Sequence, residues 1–136
     1  MKKAIKLIAL SLVLVMSVML LASCGGPNKD PDKALEELKD NDYEAFKDDG
    51  YRPGVMKAFG INGVESVVKG TALIDGKLEY VTIVYFEDKD AANEAWEKIQ
   101  KYAEDDKEDD DESDFQIKKT GAIVYYGTSA GMKAAG

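Results

Sequence analysis

The chain has 136 residues, with 18 Lys and Arg, 26 Asp and Glu, no His, one Cys and a formal net charge of −8. This length allows one domain, and the absence of His removes the usual neutral-pH general base and the commonest metal ligand. A single Cys excludes an internal disulfide and any CxxC site. The acidic balance argues against nucleic-acid binding, which depends on positive charge. The composition therefore predicts a small acidic domain with no cofactor.

The N-terminal segment has the features of an export signal. Three Lys among the first six residues precede an uncharged apolar run over residues 7–22. That run is shorter than the ~20 residues of a transmembrane helix, and a charged start followed by such a run is typical of a secretory signal. The run ends in Leu21-Ala22-Ser23-Cys24, which contains the one Cys of the chain.

The segment Leu21-Ala22-Ser23-Cys24 resembles the lipobox of bacterial lipoprotein precursors. The resemblance covers the first 24 residues and implies transfer of diacylglycerol to the Cys24 sulfur, with cleavage between Ser23 and Cys24. It implies a membrane lipoprotein, lipid-anchored on the extracytoplasmic face of the cell membrane. Lys outnumbers Arg 17 to one, and the chain looks like the small uncharacterised lipoproteins of Gram-positive bacteria. The alternative is an ordinary secretory signal, which would leave Cys24 as an unpaired thiol.

The chain after Cys24 is acidic, so its predicted membrane anchor consists of acyl chains without a basic patch. Each buried CH₂ contributes ~0.8 kcal/mol, so two or three chains hold a protein without a basic patch. All 26 acidic residues but only 15 of the 18 basic residues follow Cys24, which leaves a net charge of −11. We expect this domain to be repelled by anionic headgroups.

The predicted organisation is a cleaved signal over residues 1–23, a lipidated Cys and flexible tether over residues 24–30, and one domain over residues 31–136. Asp30 and Pro31 predict a helix start, as N-cap and first-turn residues. Asn41 is the predicted left-handed stop. Residues 43–46 form a strand or another helical turn, with the strand favoured. Residues 47–63 are turn-rich and include one helical turn.

Two hairpins are predicted around a long amphipathic helix. Two runs rich in β-branched and aromatic residues flank Asp75-Gly76, the strongest short-range hairpin signal. Both faces of this hairpin are largely apolar. Asp88 or Asp90 caps the helix that follows, and the second hairpin turns at Thr120-Gly121 before a short closing helix capped by Thr128 or Ser129. The predicted class is α+β, with the two antiparallel hairpins in one sheet and helices packed mainly on one face.

The acidic run over residues 104–114 has nine carboxylates in eleven residues. Clustered carboxylates suit Ca²⁺, and weak candidate ligands are Asp109, Asp110, Asp111 and Glu112. The spacing, central Gly and terminal Glu of an EF-hand are missing, so the run is interpreted as a solvated, self-repelling loop without a defined metal site.

Aromatic residues in the strands indicate a binding surface. Tyr85 and Tyr125, together with Ile123 and Lys118, are predicted to form an open sheet face for a homodimer or another partner. The alternative is ordinary strand composition, because Tyr favours sheets.

Catalysis is not predicted, because the three Ser after Cys24 have no His to activate them. The expected function is a lipid-anchored, non-catalytic domain that binds a protein or a small-molecule ligand through the sheet face or residues 47–63. A small carboxylate- or Lys-dependent enzyme at the cell surface is the alternative. A transport solute-binding protein is excluded by length, since the chain is less than half as long as such two-lobed proteins.

Overall fold

A computed structural model describes residues 26–106 and 114–136. In chain order the elements are α1 (Pro31–Asp40), β1 (Glu44–Asp48), α2 (Tyr51–Ala58), β2 (Val64–Ile74), β3 (Lys77–Phe86), α3 (Lys89–Asp106), β4 (Gln116–Thr120), β5 (Ile123–Gly127) and α4 (Ser129–Ala135). The strands form one antiparallel sheet in the order β1-β2-β3-β5-β4. The α+β class is therefore confirmed.

The first hairpin has the predicted register. Ile74 pairs with Lys77 across the turn, and the ladder continues to Ser66 opposite Tyr85. Asp75 and Gly76 both have positive φ, 54° and 78°, as a type I′ turn requires.

The second hairpin turns one residue later than predicted. Thr120 pairs with Ile123, so Gly121 and Ala122 form the turn in place of Thr120-Gly121. Gly121 takes the left-handed conformation, with a φ of 58°. Lys118 consequently pairs with Tyr125. The predicted turn would pair Lys118 with Ile123, and because this register differs by two residues, each side chain keeps its predicted face.

Side-chain hydrogen bonds cap the N-termini of the helices. Asp30 is the N-cap of α1 and accepts a hydrogen bond from the Asp32 N–H, as predicted. The left-handed residue after α1 is Asp42, with a φ of 65°, and not Asn41. Asp88 accepts from the Ala91 N–H at 2.8 Å at the start of α3.

Helix α2 is longer than the single predicted turn because the carboxylate of Asp48 supports its start. This carboxylate accepts backbone N–H bonds from Gly50, Tyr51 and Arg52 at 2.9–3.0 Å. Free N–H groups in a first helical turn need such acceptors. The helix therefore begins at Tyr51 and runs for eight residues.

Helices cover both faces of the sheet. One face, called here the first face, packs against α1 and α4, and the second face packs against α2 and α3. Strand β3 shows the reason: Val81 and Ile83 bury their side chains on the first face, while Val84 and Phe86 bury theirs on the second. A strand that is apolar on both sides must be covered on both sides. The expected placement of the helices mainly on one face is corrected accordingly.

Both cores and the whole sheet are built from residues after Pro27. Among the described helices none is long and apolar enough to cross a membrane.

Candidate functional site

A cleft of about 880 Å³ opens at the end of the sheet where β2 begins and β3 ends. Its walls come from the chain before α1, from α1 itself, from the ends of β2 and β3, and from the β4–β5 turn. The lining residues are Gly26, Pro27, Asn28, Lys29, Pro31, Glu37, Glu65, Tyr85, Phe86, Thr120, Gly121, Ala122 and Ile123. The volume is within the range of small-molecule sites.

The segment predicted as a tether forms one wall of this cleft. Pro27 is buried, and the Tyr85 hydroxyl donates a 2.6 Å hydrogen bond to the Asn28 carbonyl oxygen. Gly26, with a φ of 95°, lies against the side chains of Thr120 and Tyr125, and a Cβ there would come within 2.8 Å of the Thr120 methyl. The packed part of the described chain therefore includes residues 26–30, which were predicted as a flexible tether.

A β-bulge accounts for the position of Glu65. Val64 pairs with Phe86 and Ser66 pairs with Tyr85, so Glu65 is an extra residue in β2. Bulges re-aim a side chain, and Glu65 lines the cleft. A register shift of this kind has no signal in the strand composition, which is why the sequence did not identify Glu65.

The surroundings of Tyr85 are negatively charged. Burial raises the pKa of the Tyr85 phenol, and the negative charges of Glu37 and Asp30 raise it further. Glu37 also lines the cleft, where Lys29 is the one basic residue among the described lining residues. The tyrosine at the base of the cleft is therefore a neutral hydroxyl at physiological pH.

The predicted open face is not open. Tyr85, Tyr125 and Ile123 do share the first face with Lys118, as expected. However, the first three are only 5, 7 and 6% exposed, because α1, α4 and the segment before α1 cover that face. Lys118 is exposed. The open dimer or partner surface expected at these residues is therefore corrected, although Tyr85 and Ile123 remain as lining residues of the cleft.

The other predicted binding segment, residues 47–63, folds around α2. Lys47 forms an ion pair with Asp32 of α1 at 2.7 Å. Tyr51 and Phe59 stay largely exposed, and Phe59 meets the Tyr102 ring edge-on at a centroid distance of 5.5 Å. The segment is ordered by these contacts and has no lining residue in the cleft.

A serine and a carboxylate meet beside α4. The Ser129 hydroxyl donates to Asp114 at 2.5 Å, and the Lys77 ammonium contacts the same carboxylate at 3.3 Å. These hydrogen bonds lower the pKa of Asp114, with the bond from Ser129 as the largest cause. These bonds hold the start of α4 against Asp114, which lies just before β4.

The weak metal-ligand candidates Asp109, Asp110, Asp111 and Glu112 lie outside the described residues. Within residues 26–106 and 114–136, no group of three or more acidic, Cys or His side chains is placed to hold a metal ion.

Comparison of the chain with protein-family models, curated proteins and solved structures finds no match.

Proposed function

We propose that this protein is a lipid-anchored extracytoplasmic lipoprotein whose domain is a non-catalytic binding module, with the cleft as its ligand site. The observation that carries this proposal is the position of Gly26. It lines the cleft and follows Cys24 of the lipobox-like segment by two residues. Two residues of chain span at most about 7 Å. Lipidation at Cys24 would therefore hold the cleft close to the membrane surface.

The chemistry of the cleft supports binding in preference to catalysis. Its described side chains are two carboxylates, one ammonium, one amide, hydroxyls and apolar groups. The Tyr85 hydroxyl is held in place by its bond to Asn28. The alternative of a carboxylate- or Lys-dependent enzyme has less support, because the Ser129–Asp114 pair contributes no lining residue to the cleft.

The anchor is tested by expressing the full chain in a bacterium fed with an alkyne-labelled palmitate. The expected result is a labelled protein in the membrane fraction. Cys24→Ala should lose the label, and Leu21→Ile serves as a matched change in the same segment that retains it. An unlabelled wild-type chain would contradict the lipoprotein assignment.

Binding is tested separately by screening small molecules of positive, negative and zero charge against the ¹⁵N-labelled protein by NMR. Residues 24–136 with Cys24→Ser keep the whole sheet and both cores. Hits should shift the amides of Gly26, Gly121 and Ile123. Ala122→Trp adds a ring among the lining residues and should block them, whereas Ala58→Trp, at an exposed position on α2, should not. Absence of any hit at these amides would refute the cleft as a ligand site.

A further inference from the structure

We infer that the cleft recognises a primary ammonium group on a small apolar body. This inference rests on the proposed function, and it names the class of ligand. It is carried by three features of the lining: which polar groups are hydrogen-bond acceptors, which charges lack an ion-pair partner, and where the apolar side chains lie.

Two polar groups of the lining, the Tyr85 hydroxyl and the Asn28 backbone carbonyl, are bonded to each other in a way that leaves them as acceptors for a ligand. The Tyr85 hydroxyl uses its proton on the Asn28 carbonyl, so its oxygen offers only lone pairs to a ligand. The backbone carbonyl oxygen of Asn28 has a second lone pair for a ligand. The side-chain oxygen of Asn28 already accepts a hydrogen bond from the Asp30 N–H at 2.9 Å. An ammonium group has three donors and no acceptor, which complements such a set.

Two carboxylates that line the cleft have no counter-ion in the described part of the chain. Glu37 and Glu65 are both exposed, and no ion pair between either of them and a described Lys or Arg is present. Lys29 is the one lining cation. The cleft therefore carries an excess of negative charge that a cationic ligand would reduce, and hydrogen bonds to ionised groups are the stronger ones.

Apolar side chains form the remaining wall. Ile123 lies on the first face at the start of β5, and Pro27 and Ala122 line the cleft from the chain before α1 and from the β4–β5 turn. Small-molecule sites combine such walls with a few convergent polar groups. The arrangement fits a ligand with one ammonium and a short alkyl or aromatic body.

A ligand with such an ammonium group is either a free amine or a membrane lipid with an amino headgroup. The experiment compares three probes with the same six-carbon body: hexylamine, 1-hexanol and hexanoate. Dihexanoyl phosphatidylethanolamine and dihexanoyl phosphatidylglycerol, both below their micellar concentrations, form the lipid arm. Binding to the ¹⁵N-labelled Cys24→Ser chain of residues 24–136 is followed at the amides of Gly26 and Gly121.

Hexylamine should bind about four- to ninefold more tightly than 1-hexanol, because Glu37 and Glu65 are exposed carboxylates and each exposed charge contributes about two- to threefold. The double variant Glu37→Gln/Glu65→Gln should remove most of this preference. Glu36→Gln/Glu94→Gln makes the same change in net charge at exposed positions outside the cleft and should leave it unchanged. Lys29→Gln should strengthen hexylamine binding by about two- to threefold, as expected for one exposed charge.

The outcomes separate the two proposals. Equal binding of hexylamine and 1-hexanol, tighter binding of hexanoate, or a preference that survives Glu37→Gln/Glu65→Gln would overturn the ammonium inference while leaving the cleft as a ligand site. Loss of all probes and all screening hits would overturn both. Preference for phosphatidylethanolamine over hexylamine and over phosphatidylglycerol supports the site and assigns a lipid source, and the reverse order supports the site with a free amine.

Discussion

Gly131 in α4 provides a test of how closely this helix packs on the sheet. A Cβ at this position would lie 2.0 Å from the Tyr80 carbonyl oxygen and 2.4 Å from its carbon. Gly54 in α2 has no atom within 4 Å of its hypothetical Cβ. The same substitution, Gly to Ala, should therefore change stability in opposite directions at the two sites.

The magnitude follows from three contributions. Forcing the helix away from Tyr80 costs about 3 kcal/mol, the upper part of the range for overpacking. Thr128, at the start of α4, exchanges backbone and side-chain bonds with Tyr80 at 3.0–3.3 Å, and weakening them adds about 1 kcal/mol. The higher helix propensity of alanine offsets about 1 kcal/mol of this loss in stability. We expect Gly131→Ala to lose about 3 kcal/mol, and Gly54→Ala to gain up to about 1 kcal/mol.

Guanidinium denaturation followed by circular dichroism and by Trp96 fluorescence measures both variants. Coincident transitions from the two probes justify a two-state free energy. If Gly131→Ala is as stable as the unmodified protein while Gly54→Ala is stabilised, the close contact of α4 with β3 is refuted. If both variants are destabilised equally, the expected gain from helix propensity at Gly54 is wrong, and the loss at Gly131 is then no evidence for a close contact.

Three further predictions use the same denaturation assay. Thr128→Ala removes the cap of α4 and the acceptor for the Tyr80 N–H, and should cost about 1–2 kcal/mol. Tyr85→Phe removes the bond to Asn28, should cost about 1 kcal/mol and should speed amide exchange over residues 28–30. Because burial raises the pKa of Tyr85 above its ordinary 10.0, stability should fall as pH rises above 10, and less steeply in Tyr85→Phe. Backbone N–H bonds, first that of Gly50, lower the pKa of Asp48 below 3.8, so its contribution is present at neutral pH and lost in acid. Asp48→Asn should therefore be less stable at pH 7 and indistinguishable from the parent at the lowest pH, whereas a constant difference at every pH would contradict the assignment.

Local chemistry explains which parts of the fold the sequence predicted. Asp75-Gly76 has positive φ at both positions, so turn chemistry alone determined the first hairpin and its register. The caps Asp30, Asp88 and Thr128 act through bonds to N–H groups two or three residues away, which a sequence pattern records directly. In each case the interaction that decides the structure lies within a few residues of the signal.

The features that were missed depend on contacts between distant segments. The packing of residues 26–30 comes from the bond between Asn28 and Tyr85, which are 57 positions apart. The bulge at Glu65 appears only when β2 pairs with β3. The burial of Tyr125 follows from the helices and the segment before α1 that cover the first face, where a Cβ on Gly26 would lie 3.2 Å from the Tyr125 ring. Composition favoured aromatic residues on a face but held no information on what covers it.

Lipidation and the charge of the cleft have a joint consequence under the proposed function. Cys24 lies within about 7 Å of Gly26 along the chain, which is no more than a Debye length at physiological salt, ~8 Å. A surface potential of about −30 mV falls to about −12 mV over that distance, which favours a monovalent cation by ~0.3 kcal/mol and enriches it about 1.6-fold. The anchor would thus raise the amine concentration at Glu37 and Glu65 without any new contact. The anchored protein should accordingly bind hexylamine about 1.6-fold more tightly beside anionic lipid than beside zwitterionic lipid, and high salt should abolish the difference. An identical affinity in both lipids at low salt would show that the cleft does not sense the membrane surface.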